Sequence, residues 1–228
     1  TQLQRIKREV WIMKFGSITT GIIADGLVFN VDPANRASYP KTGTTINDTI
    51  GSNTGTLNGT TFQDIDRGVF NFDGIDDDIS FASVNSGPLY DIGTGDFTVS
   101  VWANAVTKTN YGTLIGNWNT NGLIMWRVAT SNVFQCLIGG DSFTTTYTIP
   151  FDDTWHYYLI TRSGTGVTLY VDGISVQIGT SSATLASNSI SYIGNQPHNS
   201  RRWKGTITNV QIYNRALSAN EVLHNYNA

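Results

Sequence analysis

The sequence predicts an all-β, two-sheet antiparallel jelly-roll sandwich. Three observations carry that expectation. Short runs alternate apolar and polar residues with a period of two, as in Phe97-Thr98-Val99-Ser100-Val101-Trp102. Gly, Asn, Asp and Ser interrupt those runs at the spacing of turns. Helix signals gather in one place, the C-terminus. At 228 residues the chain suits a single sandwich domain and buries enough surface to need no disulfide or metal for a core.

The elements follow in chain order. Residues 27–31 read as a strand stopped by Asp32-Pro33, and 68–72 as another broken at Asp73-Gly74. Residues 97–102, 123–128, 133–138 and 157–161 continue the series. Residues 167–171 and 174–178 flank Asp172-Gly173, the strongest short-range hairpin signal there is. Residues 190–193 and 207–213 complete the set. Residues 42–61, almost wholly Thr, Asn, Gly, Ser and Asp, read as a long loop. Ser218 with Glu221 three residues later forms a capping box that opens a short helix, with Val222, Leu223 and Tyr226 facing inward. Residues 1–16 form a separate basic arm, since four of the fourteen Lys and Arg lie in the first fourteen positions. Residues 17–228 form the domain.

Composition excludes several functions. A net charge of −3 argues against nucleic-acid binding. No apolar run is long enough for a membrane span. The lone Cys136 excludes an internal disulfide and lies in a strand, where a thiol is a small core group. The chain has two glutamates, Glu9 and Glu221, one in the arm and one in the helix, so they cannot form a glycosidase pair. Asp76, Asp77 and Asp78 are adjacent at a turn, where turn formation accounts for them. His156 reads as a sheet residue rather than a base. Nucleophile elbows and metal or phosphate motifs are missing. The chain is therefore expected not to be an enzyme.

Five segments then resemble one family. Phe70-Asn71-Phe72-Asp73-Gly74-Ile75-Asp76-Asp77, the 97–102 strand, Trp155-His156, Leu169-Tyr170-Val171-Asp172-Gly173 and Ile212-Tyr213-Asn214-Arg215-Ala216-Leu217-Ser218 occur in the order found in laminin G-type jelly rolls of the concanavalin A-like lectin/glucanase superfamily. Gly26 to Asp32, Ser38-Tyr39-Pro40 and the ending after Glu221 are similar to lectin-like domains of tailed-phage virion proteins. The resemblance implies a non-enzymatic virion structural protein displayed on capsid, tail or fibre, contacting other virion proteins as a homo-oligomer and touching host surface glycans. The alternative is a secreted carbohydrate-binding module. In the virion setting, Arg5 and Arg8 would pair with an acidic surface, while Ile6, Val10 and Trp11 bury against it.

The resemblance also implies a structural Ca²⁺ at a sheet edge, held by hard oxygen ligands. Asp48 and Asn53 occupy the loop that supplies such ligands. Ile207-Thr208-Asn209-Val210 replaces the family's acidic position, leaving Asn209 as the remaining ligand. For sugar, an exposed aromatic among planar polar groups is needed. Trp118 with Asn119 and Asn121 is one candidate, and Arg201, Arg202 and Trp203 are the second. Trp102, Trp126 and Trp155 lie within strands and read mainly as core.

Overall fold

Strand alternation is realised as two antiparallel sheets facing each other across one apolar core. The structure is a computed structural model that describes residues 21–81, 92–106, 112–117, 121–128, 131–148, 153–186, 191–196 and 201–228. The arm at residues 1–16, with Arg5, Ile6, Arg8, Val10 and Trp11, lies outside the described residues, as do Trp118 and Asn119.

Sheet A contains β1 (Leu27–Val31), β4 (Thr61–Gln63), β5 (Val69–Asp73), β7 (Phe97–Ala105), β12 (Trp155–Ser163), β13 (Gly166–Val171), β14 (Ile174–Thr180) and β16 (Lys204–Tyr213). Its order is β14-β13-β12-β7-β16-β5-β4, and β1 also pairs with β16. Sheet B contains β2 (Thr45–Asn47), β3 (Thr54–Asn58), β6 (Asp78–Phe81), β8 (Gly112–Gly116), β9 (Leu123–Val128), β10 (Val133–Ile138), β11 (Asp141–Thr148) and β15 (Ser191–Ile193). Its order is β11-β10-β9-β8-β15-β6-β3-β2.

Residues 42–61 are not one loop, as the sequence suggests. They hold β2 and β3, the edge of sheet B, with Ile46, Gly55 and Leu57 turned inward between exposed Thr and Asn. Threonine favours strands, and its β-branched side chain suits the solvated face of an edge. The Asp172-Gly173 hairpin forms as expected, both residues taking positive φ (52° and 77°), as this two-residue turn requires.

The inner faces meet in a core that includes Val99, Val101 and Ala103 from β7, Ile160 from β12, and Phe134 and Cys136 from β10. Burial pushes the Cys136 thiol up, which keeps it unionised. Part of sheet A's outer face is covered by α1 (Ala219–Asn227), which packs Val222 against Tyr157, Leu159, Tyr170 and Tyr213. Its Tyr226 ring stacks on Trp102 at 5.5 Å. The capping box is present, and Arg215 grips Glu221 through two bonds of 2.7 and 3.1 Å. Arg215 foremost, and the Ser218 amide after it, hold the Glu221 carboxyl down at about 2. Buried Asn225 accepts from Ile23 N–H and donates to the Tyr213 hydroxyl, tying the helix to the sheet.

A charged group is also fully buried. Arg162, 0% exposed, donates to the carbonyls of Gly93, Gly95 and Ala183 at 2.7–3.0 Å and lies against the Phe97 ring. Burial lowers its pKa, opposed by the charge of Asp96. The guanidinium ties the carbonyls of residues 93, 95 and 183 to β12. Replacing it with Met is expected to cost about 3 kcal/mol or more, because four hydrogen bonds from a charged donor to three carbonyls are lost together; denaturant unfolding measures this, and a loss below about 1 kcal/mol contradicts it. The Glu221 contribution has a defined pH range. Its folded pKa lies below the ordinary 4.5, so the stabilisation is complete above about pH 5 and disappears as the pH falls toward 2. Glu221→Gln is expected to remove that acid sensitivity and cost about 1 kcal/mol at neutral pH.

Candidate functional site

Register decides which polar groups gather on sheet A's exposed outer face. Because Val99, Val101 and Ala103 point into the core, Trp102 and Asn104 point outward. Trp155 pairs with Asn104, Asn104 with Thr206, and Thr206 with Asn71. Indole, amide, hydroxyl and amide therefore form one row across β12, β7, β16 and β5. In the neighbouring row, Trp102 pairs with Thr208.

A bulge sharpens this arrangement. Ile207 and Val210 both face the core although they are three residues apart, which a regular strand cannot do. The register shifts between Thr208 and Val210, and Asn209 takes the extra position with φ 49°. Asparagine tolerates that left-handed conformation better than most residues, and bulges re-aim side chains beside functional sites. Thr208 and Asn209 both line a recess of about 380 Å³, together with Asp66, Arg67, Trp102 and Trp155. A second recess of about 460 Å³ shares Asp66 and Trp155 and continues over Asn104, Thr206 and Asn71 toward Val106 and Asp153.

The wall between the two recesses comes from the β4–β5 loop. Asp66 Oδ2 accepts the Trp155 indole N–H at 3.1 Å, across 89 residues of chain. Asp66 and Arg67 hold φ of 49° and 73° in succession, before Gly68 at 125°. Asp153, on the far rim, has φ 58°, and the Asn104 amide donates to its carbonyl at 3.0 Å. Among the described residues, seven non-glycine residues have positive φ, and four of them, Asp66, Arg67, Asp153 and Asn209, line these recesses. Such strain costs of order 1 kcal/mol or more per residue and collects at ligand clamps.

The sequence candidates are placed elsewhere. Trp203 is no platform: it is 1% exposed in the core, its ring against Gly112. Arg201 lies over the Trp126 ring at 4.6 Å, and Arg202 pairs with Asp78 at 3.2 Å, so both guanidinium groups are engaged within the fold. Asn121 is exposed at a turn before β9. Trp126 belongs not to the main core but to a cluster with Ile124 and Val128 on sheet B. Trp102 and Trp155, expected in the core, are half-buried on the outer face. A two-residue period shows that a strand has two faces, not which one is covered.

Of the expected metal ligands, Asp48 and Asn53 meet within one loop. Asp48 accepts from Asn30 N–H and Ile50 N–H at 3.0 Å and from the Asn53 amide at 2.8 Å, so its carboxylate organises the β2–β3 loop. Asn209 lines the Trp102 recess instead. Asp73, Asp76 and Asp77 do cluster, but Asp73 accepts from Ile75 and Asp76 while Asp77 accepts from Asp73, closing the β5–β6 turn. Burial foremost raises the Asp77 carboxyl.

Among the described residues, one hydroxyl–imidazole–carboxylate line occurs. Thr154 Oγ1 lies 3.2 Å from His156 Nε2, and His156 Nδ1 lies 2.7 Å from Asp172, whose other oxygen accepts Tyr157 N–H. Asp172 sits in the β13–β14 turn, so the line fastens that hairpin to β12.

A laminin G-type family model of the concanavalin A-like lectin/glucanases superfamily matches residues 73–223. The chain belongs to that superfamily. No curated protein matches it in sequence. The sandwich is similar to Trypanosoma rangeli sialidase (16% identity, TM-score 0.66), covering 99% of this chain and 39% of that one. It is similar to domain 4 of an extracellular arabinanase from Geobacillus stearothermophilus, solved with arabinotriose (16%, TM-score 0.64), covering 86% of this chain and 96% of the domain. The binding domain of botulinum neurotoxin serotype G is also similar (14%, TM-score 0.68), covering 88% of this chain and 50% of that one. This chain thus spans about two fifths of the sialidase and half of the toxin binding domain. At these identities the likeness shows the shared lectin-like jelly roll.

The Asp66–Trp155 contact has a direct check. Trp155→Phe removes the indole donor, so amide exchange at Asp66 and Arg67 is expected to rise while global stability changes by less than about 1 kcal/mol; unchanged exchange contradicts the clasp.

Proposed function

We propose that this domain is a glycan-binding module that works by adhesion rather than catalysis, with its ligand seated beside Trp155 on the outer face of sheet A. The concentration of left-handed residues around two outward indoles carries the reading. A sugar presents an apolar ring face and hydroxyl edges, and the recess offers the matching parts. Trp155 and Trp102 supply apolar surface, while Asn209, Thr208 and Asp66 supply hydrogen-bonding edges. The non-catalytic part of the proposal is supported by where the carboxylates are spent. Glu221 is held by Arg215 and Ser218, and Asp66 by the indole.

The setting we propose is display on a phage particle, with residues 1–16 as the anchor, supported by the resemblance of the chain's ends to virion proteins. Deleting residues 1–16 is expected to abolish attachment to particles and leave the sandwich and its glycan affinity intact. Attachment that survives the deletion contradicts the anchor.

A glycan array followed by titration tests the site. Trp155→Ala is expected to weaken binding by about 1–3 kcal/mol, roughly fivefold to 150-fold. Full affinity in Trp155→Ala, or loss of affinity on altering Asn121 or Arg201 instead, overturns the assignment.

A further inference from the structure

Resting on the reading of the Trp155 recess as a glycan site, we propose that its ligand is an uncharged oligosaccharide chain of at least two or three units, lying across the strands of sheet A, rather than a single terminal sugar. Strand register sets the length of the site. Trp155, Asn104, Thr206 and Asn71 stand side by side on four consecutive strands. Three steps between strands of ~4.8 Å make a row of roughly 14 Å, longer than one pyranose ring. The two recesses share Trp155 and Asp66, so each offers its own set of groups to a ligand resting on the same indole. The first adds Trp102, Thr208 and Asn209. The second adds Asn104, Thr206 and Asn71, with exposed Ile65 and Val106 as apolar rims. Amide and hydroxyl groups repeated at strand spacing suit the repeated hydroxyls of a sugar chain.

Charge points to an uncharged chain. Asp66 and Asp153 line the recesses against the single guanidinium of Arg67, so the lining carries one net negative charge. A chain bearing carboxylates would meet repulsion from both aspartates, whereas hydroxyl donors meet acceptors. Gly205, at φ 129°, lines the second recess and lets β16 approach β7 so closely that a Cβ there would strike the Asn104 carbonyl. The floor of the row is thereby kept low and open.

The test is calorimetric titration of the full chain with three size ladders, each of one to six units: β-1,4-linked glucose, β-1,4-linked xylose and α-1,5-linked arabinose. For at least one ladder, affinity is expected to rise about tenfold or more between one unit and three, then level off. Thr206→Val combined with Asn71→Ala is expected to flatten that rise, so that three units bind little more tightly than one. If the double variant does not fold, Thr206→Val alone, nearly isosteric, reads the same increment. Affinity independent of length, absent from all three ladders, or confined to sialyllactose overturns the inference. Retained binding in Trp155→Ala overturns the underlying site instead, so the two failures are distinguishable.

Discussion

The pairing of β7 with β12 on one side and β16 on the other fixes most of what this domain can do. Once Val99, Val101 and Ala103 fill the core, the intervening residues must face away from it. A slip of one residue in either pairing would bury Trp102 and Asn104 and expose the valines, so hydrophobic burial holds the register. The outer surface inherits its order from that constraint. Trp155, Asn104, Thr206 and Asn71 form a row because their inward neighbours cannot be placed otherwise.

Onto that fixed lattice the structure adds two local departures. The Asn209 bulge restores Val210 to the core and leaves two consecutive polar residues beside Trp102. The β4–β5 loop crosses the face in left-handed backbone and ends in one hydrogen bond to Trp155. Both shape the same recesses. The helix limits the face on the other side, with Tyr226 stacked on Trp102, so the proposed binding surface is the part of sheet A that α1 leaves uncovered.

Much of this was legible in the sequence, and the gaps have physical reasons. Local signals held: the Asp172-Gly173 hairpin, the Ser218–Glu221 capping box and the strands at 27–31, 123–128 and 133–138 appear where the residues placed them. Residues 42–61 misled because threonine and asparagine serve both loops and solvated edge strands. The site was missed for two reasons. Trp155 and Trp102 sit in strongly alternating strands, where tryptophan reads as core, although both are half-buried on the outer face. The Asp66–Trp155 contact joins residues 89 apart, and nothing local announces it. The spacing of Ile207 and Val210 was the one available clue, since three residues between inward positions in a strand implies a bulge. Trp203 misled in the opposite sense: the polar run around it suggests a surface, yet its ring fills the space above Gly112.

Which sheet carries the ligand decides the proposed site. Amide-resolved nuclear magnetic resonance during titration with an oligosaccharide that binds reads this directly through side-chain N–H signals. The Trp155 indole and the Asn71, Asn104 and Asn209 amides are expected to shift together, while Asn121 and the Trp126 indole stay in place. Shifts gathered at Asn121, Arg201 and Trp126, with the Trp155 signal unmoved, would contradict it and put the ligand on sheet B.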